Sequence, residues 1–324
     1  MSGKHEKELK FENRINENLK DAPSILTEYY YSLIGSGKSY ATTYNYINYL
    51  LSFIKFTFGD KYSEDFYLKV KPVQINKYIS SLRTKTINGK VERTSDSMKT
   101  VQWSALNTFF QFLIPEHLTN NPVANTNRPK MKDNPHVTYL EPAEITKMLE
   151  NVNNKSNDKM KNRDLCLLKL GFSTGLRASA ILQIDIDDVD FKNHQIKVTE
   201  KGDYENYVMF GDNLKEQLMA WLNDRKKYFN EADTNALFVS QWGRRMSPDM
   251  LSKLIKKYAE GATEKHVTPH VMRHSCATNL YEKTGDIYLC SKQLHHKNVS
   301  TTERYAELSN AKKREATNIL DNLI

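Results

Sequence analysis

The sequence predicts a mainly α-helical protein with a small antiparallel β-sheet, divided into two domains. Two patterns carry this prediction: apolar residues recur at three- and four-residue steps over long stretches, and one short region instead holds β-prone segments separated by turn residues. The chain has 324 residues, which exceeds what one hydrophobic core usually organises. We therefore expect two separate cores.

Two amphipathic helices dominate the first part of the chain. The first begins after Ser39, and the second has Ser95 or Ser97 as its candidate cap. Their apolar stripes consist of Tyr40, Tyr44, Ile47, Leu51, Ile54 and Phe58, and of Met98, Val101, Ala105, Phe109, Phe112 and Leu113. Residues 21–118 are predicted to form an all-helical domain that follows a polar tail over residues 1–20.

A segment rich in proline and asparagine comes next. Residues 119–138 show no hydrophobic periodicity, which is typical of a linker. Helices are predicted over 141–150 and 163–172, and the second should stop at Gly175. The second domain is expected to occupy residues 139–324.

The β-prone segments lie between residues 184 and 210. They read IDIDDVDF, QIKVTE and NYVMF, and turn residues separate them, which predicts a small antiparallel sheet. Helices then resume, with their starts and ends marked by Ser247-Pro248, Thr268-Pro269, Gly285 and Asp286.

Composition narrows the class of protein. The net charge of +8 and the pI near 9.1 favour a polyanionic partner. The three cysteines form no CxxC pair, which argues against a disulfide framework and a thiolate zinc site. Because no apolar run approaches the ~20 residues of a membrane span, a cytoplasmic location is expected.

One short motif resembles a phosphate-binding loop but does not meet its requirements, and it is called the decoy motif below. Residues 35–39, GSGKS, end like a phosphate-binding P-loop, but Ser32 stands where that motif needs a glycine. The preceding sequence is helical in pattern rather than strand-like. The segment is interpreted as a turn between two helices.

Residues suited to phosphate chemistry are concentrated at four places in the second domain. These are Arg177 after Thr174-Gly175-Leu176, Lys201 in the predicted hairpin, His270 with Arg273, and His296 with Tyr305. Any one of them alone is more often a surface or packing residue. Their order along the chain is far more specific.

The ordered segments TGLRAS, TEKGD, HVMRHSCAT and LHHKNVSTTERY, which span most of residues 139–310, resemble the signature of the tyrosine recombinases of the phage integrase family. The resemblance implies a helical core-binding domain followed by a mixed α+β catalytic domain. It implies a site-specific recombinase or integrase that serves integration or excision of a mobile element. Neither cofactor nor metal is implied.

The roles carried over from the resemblance suit the chemistry of the side chains. Tyr305 would attack the DNA phosphate and form a 3′-phosphotyrosyl bond, so that rejoining needs no ATP. Guanidinium groups bind phosphate oxygens bidentately, which fits Arg177 and Arg273. The remaining roles are a hydrogen bond from His296, base or charge stabilisation by His270, and general acid catalysis by Lys201, with Lys197 as the alternative acid.

Two positions depart from the family pattern: Ala180 replaces an acidic residue, and His295 replaces a glycine. His274 is interpreted as a structural histidine. A zinc site built from His270, His274, Cys276, His295 and His296 is conceivable but disfavoured, because Arg273 would place a positive charge beside the metal.

Partners are expected to be double-stranded recombination sites, further copies of the chain in a tetramer on DNA, and accessory directionality factors. Candidate DNA-binding residues are Lys85, Lys90, Arg93, Lys99, Arg244 and Arg245. An apolar stripe near the C-terminus, from Leu308 to Leu323, should dock on a neighbouring subunit or within its own. The alternative functions are a type IB topoisomerase-like or resolving enzyme and a non-catalytic DNA-binding protein.

Overall fold

The computed structural model describes residues 3–60, 62–87, 90–130, 137–200, 204–229 and 234–294. The chain divides into two compact units at residue 133. None of the helices within the described ranges is long and apolar enough to cross a membrane.

The first unit is built from helices around an aromatic core. The ring of Phe109 lies 5.2 Å from that of Tyr29 and 6.2 Å from that of Phe66. Its elements are α1 (Gly3–Leu19), α2 (Ser24–Gly35), α3 (Tyr40–Phe58), a 3-10 turn (Phe66–Lys69), α4 (Pro72–Ser81), β1 (Thr84–Ile87), β2 (Lys90–Arg93), α5 (Asp96–Leu113) and a second 3-10 turn (Pro122–Asn125).

The predicted helix starts of this unit are confirmed. The Ser39 hydroxyl accepts a hydrogen bond from the Thr42 N–H at 3.3 Å, and Ser95 accepts one from Met98 at 3.2 Å. Each cap satisfies an amide that the helix itself leaves without a partner. The decoy motif is likewise a helix-to-helix turn, because α2 ends at Gly35 and α3 begins at Tyr40.

Residues 21–118 are not all-helical, so that prediction needs correction. β1 and β2 form an antiparallel hairpin whose register runs from Thr84 opposite Arg93 to Ile87 opposite Lys90. β-Branched residues, which favour a strand over a helix, make up three of the four residues of β1 and one of the four residues of β2. Val101, placed on the buried stripe of α5, is also 41% exposed.

Two flanking segments have more structure than their composition indicated. Residues 3–19 form α1 rather than a polar tail, because one side of this helix carries apolar residues: Ile15 is completely buried and Phe11 packs its ring 5.6 Å from that of Tyr44. In the predicted linker, Val123 of the second 3-10 turn is buried in the first core.

The second unit surrounds a three-stranded sheet with helices. Its elements are α6 (Pro142–Lys155), α7 (Asp158–Thr174), α8 (Ala178–Gln183), a 3-10 turn (Ile186–Asp188), β3 (Val189–Asp190), β4 (Gln195–Glu200), β5 (Tyr204–Met209), α9 (Asp212–Tyr228), α10 (Pro248–Ala259), α11 (Pro269–Thr284) and α12 (Ile287–Gln293). The strands are antiparallel, as the sequence predicted, and the structure gives their order as β3-β4-β5. Ile196, Val198 and Val208 turn one face of the sheet into the core.

The helix boundaries around the site follow the predicted signals. Ser247 caps α10 through the Met250 N–H, and Thr268 caps α11 through the Val271 N–H, both at 3.3 Å. Gly285 ends α11 with φ +67°, and the Asp286 carboxylate accepts from the Leu289 N–H at 2.9 Å to begin α12. Consecutive helices are thereby fixed in length near the candidate site.

Candidate active site

The turn between α7 and α8 places Arg177. The Thr174 hydroxyl donates to the Leu170 carbonyl at 2.6 Å, and its oxygen lies 3.4 Å from the Leu176 N–H. These contacts end α7 and redirect the chain. Arg177 then takes an extended backbone conformation at the start of α8, with its side chain half-buried.

Gly175 is required at this turn for two physical reasons. Its φ of +65° lies in the left-handed region that L side chains rarely adopt. A Cβ atom at this position would also lie 2.6 Å from Cδ2 of Leu294 and 3.2 Å from Sγ of Cys276. The glycine therefore lets α7, α11 and the end of α12 approach closely.

Arg273 connects these three segments. It lies in α11 and is 6% exposed. Its Nη1 donates to the Gly175 carbonyl at 2.7 Å, and its Nη2 donates to the Leu294 carbonyl at 2.6 Å. One buried guanidinium thus holds the turn that carries Arg177 against the segment that ends at Leu294.

His270 lies in the first turn of α11, three residues before Arg273, and its side chain is exposed. Residues three apart occupy neighbouring positions on a helix surface. His274, one turn further along, is half-buried. Of the two imidazoles, that of His270 is the more accessible.

Lys201, His296 and Tyr305 lie outside the described residues, as does the apolar stripe near the C-terminus. The alternative acid, Lys197, lies on β4 with its ammonium 3.1 Å from Glu205 and 3.9 Å from Asp188. The hydrogen bond to Glu205 raises the pKa of Lys197. A raised pKa makes proton donation harder, so these contacts disfavour Lys197 as the general acid.

The base of the β4–β5 hairpin is held by His194. This residue has φ +52°, and its ring stacks on that of Phe210 with centroids 5.5 Å apart. Its Nε2 lies 2.9 Å from the Lys215 ammonium, and its carbonyl accepts from the Phe210 N–H at 2.9 Å. Apart from the aromatic residues themselves, no pattern in the sequence predicts this arrangement.

A tight turn after Val239 presents Arg244 to solvent. Trp242 stands in the same turn and is 73% exposed, which is unusual for so large an apolar side chain. From beneath, the buried Arg163 donates to the Val239 carbonyl at 2.9 Å. Arg245 donates to the Leu182 carbonyl at 2.9 Å and pairs with Asp185, so its described contacts are with the protein.

The other candidate DNA contacts belong to the first unit. Arg93 is exposed at the end of β2, and the Lys99 ammonium lies 3.3 Å from the Asp96 carboxylate. The backbones of Lys85 and Lys90 lie in the hairpin. Their side chains are outside the described set.

Metal binding and two further side chains, Cys276 and Ala180, complete the description of the site. Within the described ranges, no group of three His, Cys, Asp or Glu residues is placed to hold a metal ion. Burial raises the pKa of the Cys276 thiol to about 12, and this side chain packs on Gly175. Ala180 is buried in the core of the second unit, where it packs as an apolar residue.

Comparison with known proteins gives both family and fold matches. Residues 138–312 match the profile of the phage integrase family. The tyrosine recombinase XerC of Alcanivorax borkumensis is 31% identical over 229 residues, which cover 69% of this chain and 74% of that protein.

Solved structures are similar in fold. The XerH site-specific recombinase bound to palindromic difH substrate, a post-cleavage complex, superposes with a TM-score of 0.73 at 23% identity over 96% of this chain and 89% of that one. A lambda integrase tetramer bound to a Holliday junction gives a TM-score of 0.64 at 17% identity over 87% and 76% of the two chains.

Proposed function

This chain belongs to the phage integrase family, whose members cleave and rejoin DNA. From that premise we propose that it is a site-specific recombinase of a mobile element. The observation that supports this most is the buried Arg273 guanidinium, which bonds the carbonyls of Gly175 and Leu294. That contact holds the turn that carries Arg177.

The proposed reaction is an in-line attack on a DNA phosphodiester. The phenolic oxygen of Tyr305 forms a bond to phosphorus while the bond to the 5′-oxygen of the next nucleotide breaks, leaving a 3′-phosphotyrosyl intermediate and a free 5′-hydroxyl. Arg177, Arg273 and His296 stabilise the charge that grows on the phosphate oxygens. Preorganisation of Arg273 by protein carbonyls means that the guanidinium needs little rearrangement during the reaction.

Proton transfer completes the step. His270, exposed at the start of α11, is proposed to assist removal of the tyrosine proton or to stabilise charge. Lys201 is proposed to protonate the departing 5′-oxygen, because an alkoxide is a poor leaving group. Rejoining is the reverse attack by a 5′-hydroxyl, which conserves the phosphodiester energy and needs no ATP.

The proposed partners are duplex recombination sites and further copies of the chain, acting in the cytoplasm at the nucleoid. The XerH structure holds a recombinase on its difH substrate, and the lambda integrase structure holds a tetramer on a Holliday junction. By likeness, we propose a tetramer in which the C-terminal stripe docks on a neighbour, with directionality factors as accessory proteins. Lys85, Lys90, Arg93, Lys99 and Arg244 are proposed to contact DNA, while Arg245 holds its turn against the end of α8 and Asp185.

The test is formation of a covalent adduct. Nicked duplexes tiled across the DNA that flanks the gene are incubated with the protein, and adducts that survive denaturing detergent are sought. Tyr305→Phe should abolish the adduct, whereas the matched control Tyr288→Phe should not, because Tyr288 is an exposed residue of α12.

Each alternative gives a different outcome in this assay. Adducts without strand exchange between two sites would indicate a topoisomerase-like enzyme. Specific binding of one tiled duplex without any adduct would indicate a non-catalytic DNA-binding protein. An adduct that persists in Tyr305→Phe would show that another residue is the nucleophile.

A further inference from the structure

The first described residues of the second unit, 137–140, pack on α11, the helix that carries His270 and Arg273. We propose that two other side chains of this helix, Ser275 and Asn279, are positioning residues for DNA cleavage, because they fasten residues 137–140, here called the entry segment, to α11. Neither residue is proposed to touch DNA. The proposal rests on the proposed function and adds to it the contacts that fix the orientation of α11.

Both backbone groups of Leu140 are held by side chains of α11. The Leu140 N–H donates to the Ser275 hydroxyl at 2.8 Å, and the side-chain amide of Asn279 donates to the Leu140 carbonyl at 3.0 Å. The Ser275 hydroxyl in turn donates to the Val271 carbonyl of its own helix at 2.7 Å. Leu140 and Ser275 are completely buried, so water does not replace a bond that is lost between them.

The helix is held from two sides. Ser275 and Asn279 are four residues apart, which places them on one side of α11. Arg273 comes two residues before Ser275 and therefore faces another side, where it bonds the Gly175 and Leu294 carbonyls. Because the entry segment is fastened to the first side, it sets the rotation of α11 about its axis. A rotation of the helix would move the Arg273 guanidinium with it.

The entry segment also contacts an acceptor of Arg273. Val137 packs in one apolar cluster with Leu294, and the Leu294 carbonyl is the group that accepts from the Arg273 Nη2. Further along the segment, the Tyr139 hydroxyl donates to the Glu282 carboxylate of α11 at 3.4 Å. The same four residues therefore touch both the helix that carries the guanidinium and the residue that binds it.

The side chain at position 279 indicates that its hydrogen bond matters. Asn279 is half-buried, and its Oδ1 is buried without a hydrogen-bond partner among the described residues. A buried acceptor without a partner costs stability, so packing alone would favour an apolar side chain at this position. The donation from Asn279 to Leu140 is the described contact that offsets this cost.

The test separates cleavage from DNA binding and from stability. Single-turnover formation of the Tyr305 adduct is measured at saturating protein, on the tiled duplex that gives the adduct with the native protein. Asn279→Ala should slow adduct formation about 10-fold, which is less than the cost of about 10²-fold for a 1 Å displacement because Ser275 still holds Leu140. The dissociation constant for the same duplex, measured by fluorescence anisotropy, should be unchanged because Asn279 is not proposed to contact DNA.

The matched control is Asn151→Ala in the same unit. Asn151 is also half-buried, and its side-chain amide donates to the Tyr258 and Glu260 carbonyls at 2.9 and 3.2 Å. The control should therefore lower the Tm by a similar amount, while its adduct should form at the native rate. Ser275→Ala should slow the adduct as Asn279→Ala does, and Ser275→Thr, which keeps the hydroxyl, should restore the native rate.

Native rates of adduct formation in Asn279→Ala and Ser275→Ala would overturn the positioning role and leave the proposed recombinase intact. Equal slowing in Asn151→Ala would overturn it as well, because any loss of stability in the unit would then act alike. A weaker dissociation constant that accounts for the slower rate would assign the two residues to binding instead of positioning. If the native protein forms no adduct on any tiled duplex, both proposals fail.

Discussion

Replacing Gly175 by alanine tests whether the turn between α7 and α8 positions the candidate site. The substitution changes one methyl group and no charge. It places a side chain in the left-handed region at φ +65° and a Cβ atom 2.6 Å from Cδ2 of Leu294. Stability and cleavage should therefore fall together.

The magnitude follows from two contributions. A left-handed conformation costs an L residue about 1–2 kcal/mol. Displacing the end of the Leu294 side chain adds about 1 kcal/mol, at the low end for overpacking because a methyl group can move more easily than backbone. The sum of about 2–3 kcal/mol corresponds to a fall in Tm of about 6–9 °C for a unit of this size.

Gly261→Ala is the matched control within the same unit. Gly261 has φ +80°, but nothing lies within 4 Å of the position its Cβ would take. This control should show the backbone cost alone, a fall in Tm of about 3–6 °C. Its cleavage rate should match that of the native protein at a temperature where both are folded.

The assay combines thermal unfolding followed by circular dichroism with single-turnover adduct formation on a cleavable duplex. Gly175→Ala should cleave about 10² times more slowly, because displacement of a catalytic group by about 1 Å costs that much. If Gly175→Ala unfolds no earlier than Gly261→Ala and cleaves at the native rate, the glycine does not position the arginines and the reasoning fails.

Three further predictions concern other groups. Arg273→Lys should slow adduct formation by about 10²-fold or more, because an ammonium cannot bridge two carbonyls as a guanidinium does; a rate within threefold of native would contradict this. Burial raises the pKa of the Cys276 thiol to about 12 from 9.0 and that of Cys290 to about 11, so iodoacetamide at pH 8 should label Cys276 about 10³-fold more slowly in the native protein than in urea; equal rates would show that the thiol is accessible. Although burial opposes it, hydrogen bonding from Lys265 lowers the pKa of Glu144 below 4.5; this stabilisation is present above the unfolded pKa and is lost as the pH falls through the folded one, so the Tm deficit of Glu144→Gln at pH 7 should disappear in acid.

Local signals in the sequence predicted the boundaries of helices well. Ser247 and Thr268 are predicted as caps, and Ser95 is one of two candidates with Ser97, because a hydroxyl before an apolar helix satisfies a nearby amide. The β1–β2 hairpin was missed, although the intervening Asn88-Gly89 is the residue pair most typical of short hairpin loops. Helix α1 was missed because its apolar residues are few.

The candidate site could also be predicted only in part from the sequence. The identity of Arg177 and Arg273 followed from the order of the motifs. The acceptors of Arg273 did not, because its partners are carbonyls 98 and 21 residues away along the chain. Every residue has such a carbonyl, so composition cannot single out Gly175 or Leu294. Packing of three helices decides which of them the guanidinium meets.

The length of the β4–β5 hairpin means that a small rotation at its base gives a large displacement at its far end. Each strand has six residues, so its far end stands about 20 Å from the base that His194 and Phe210 hold. A rotation of about 5° at the base would move that end by about 1.7 Å, more than the roughly 0.5 Å that a catalytic group tolerates. The placement of Lys201, the proposed general acid, should therefore depend on the stacked rings at the base.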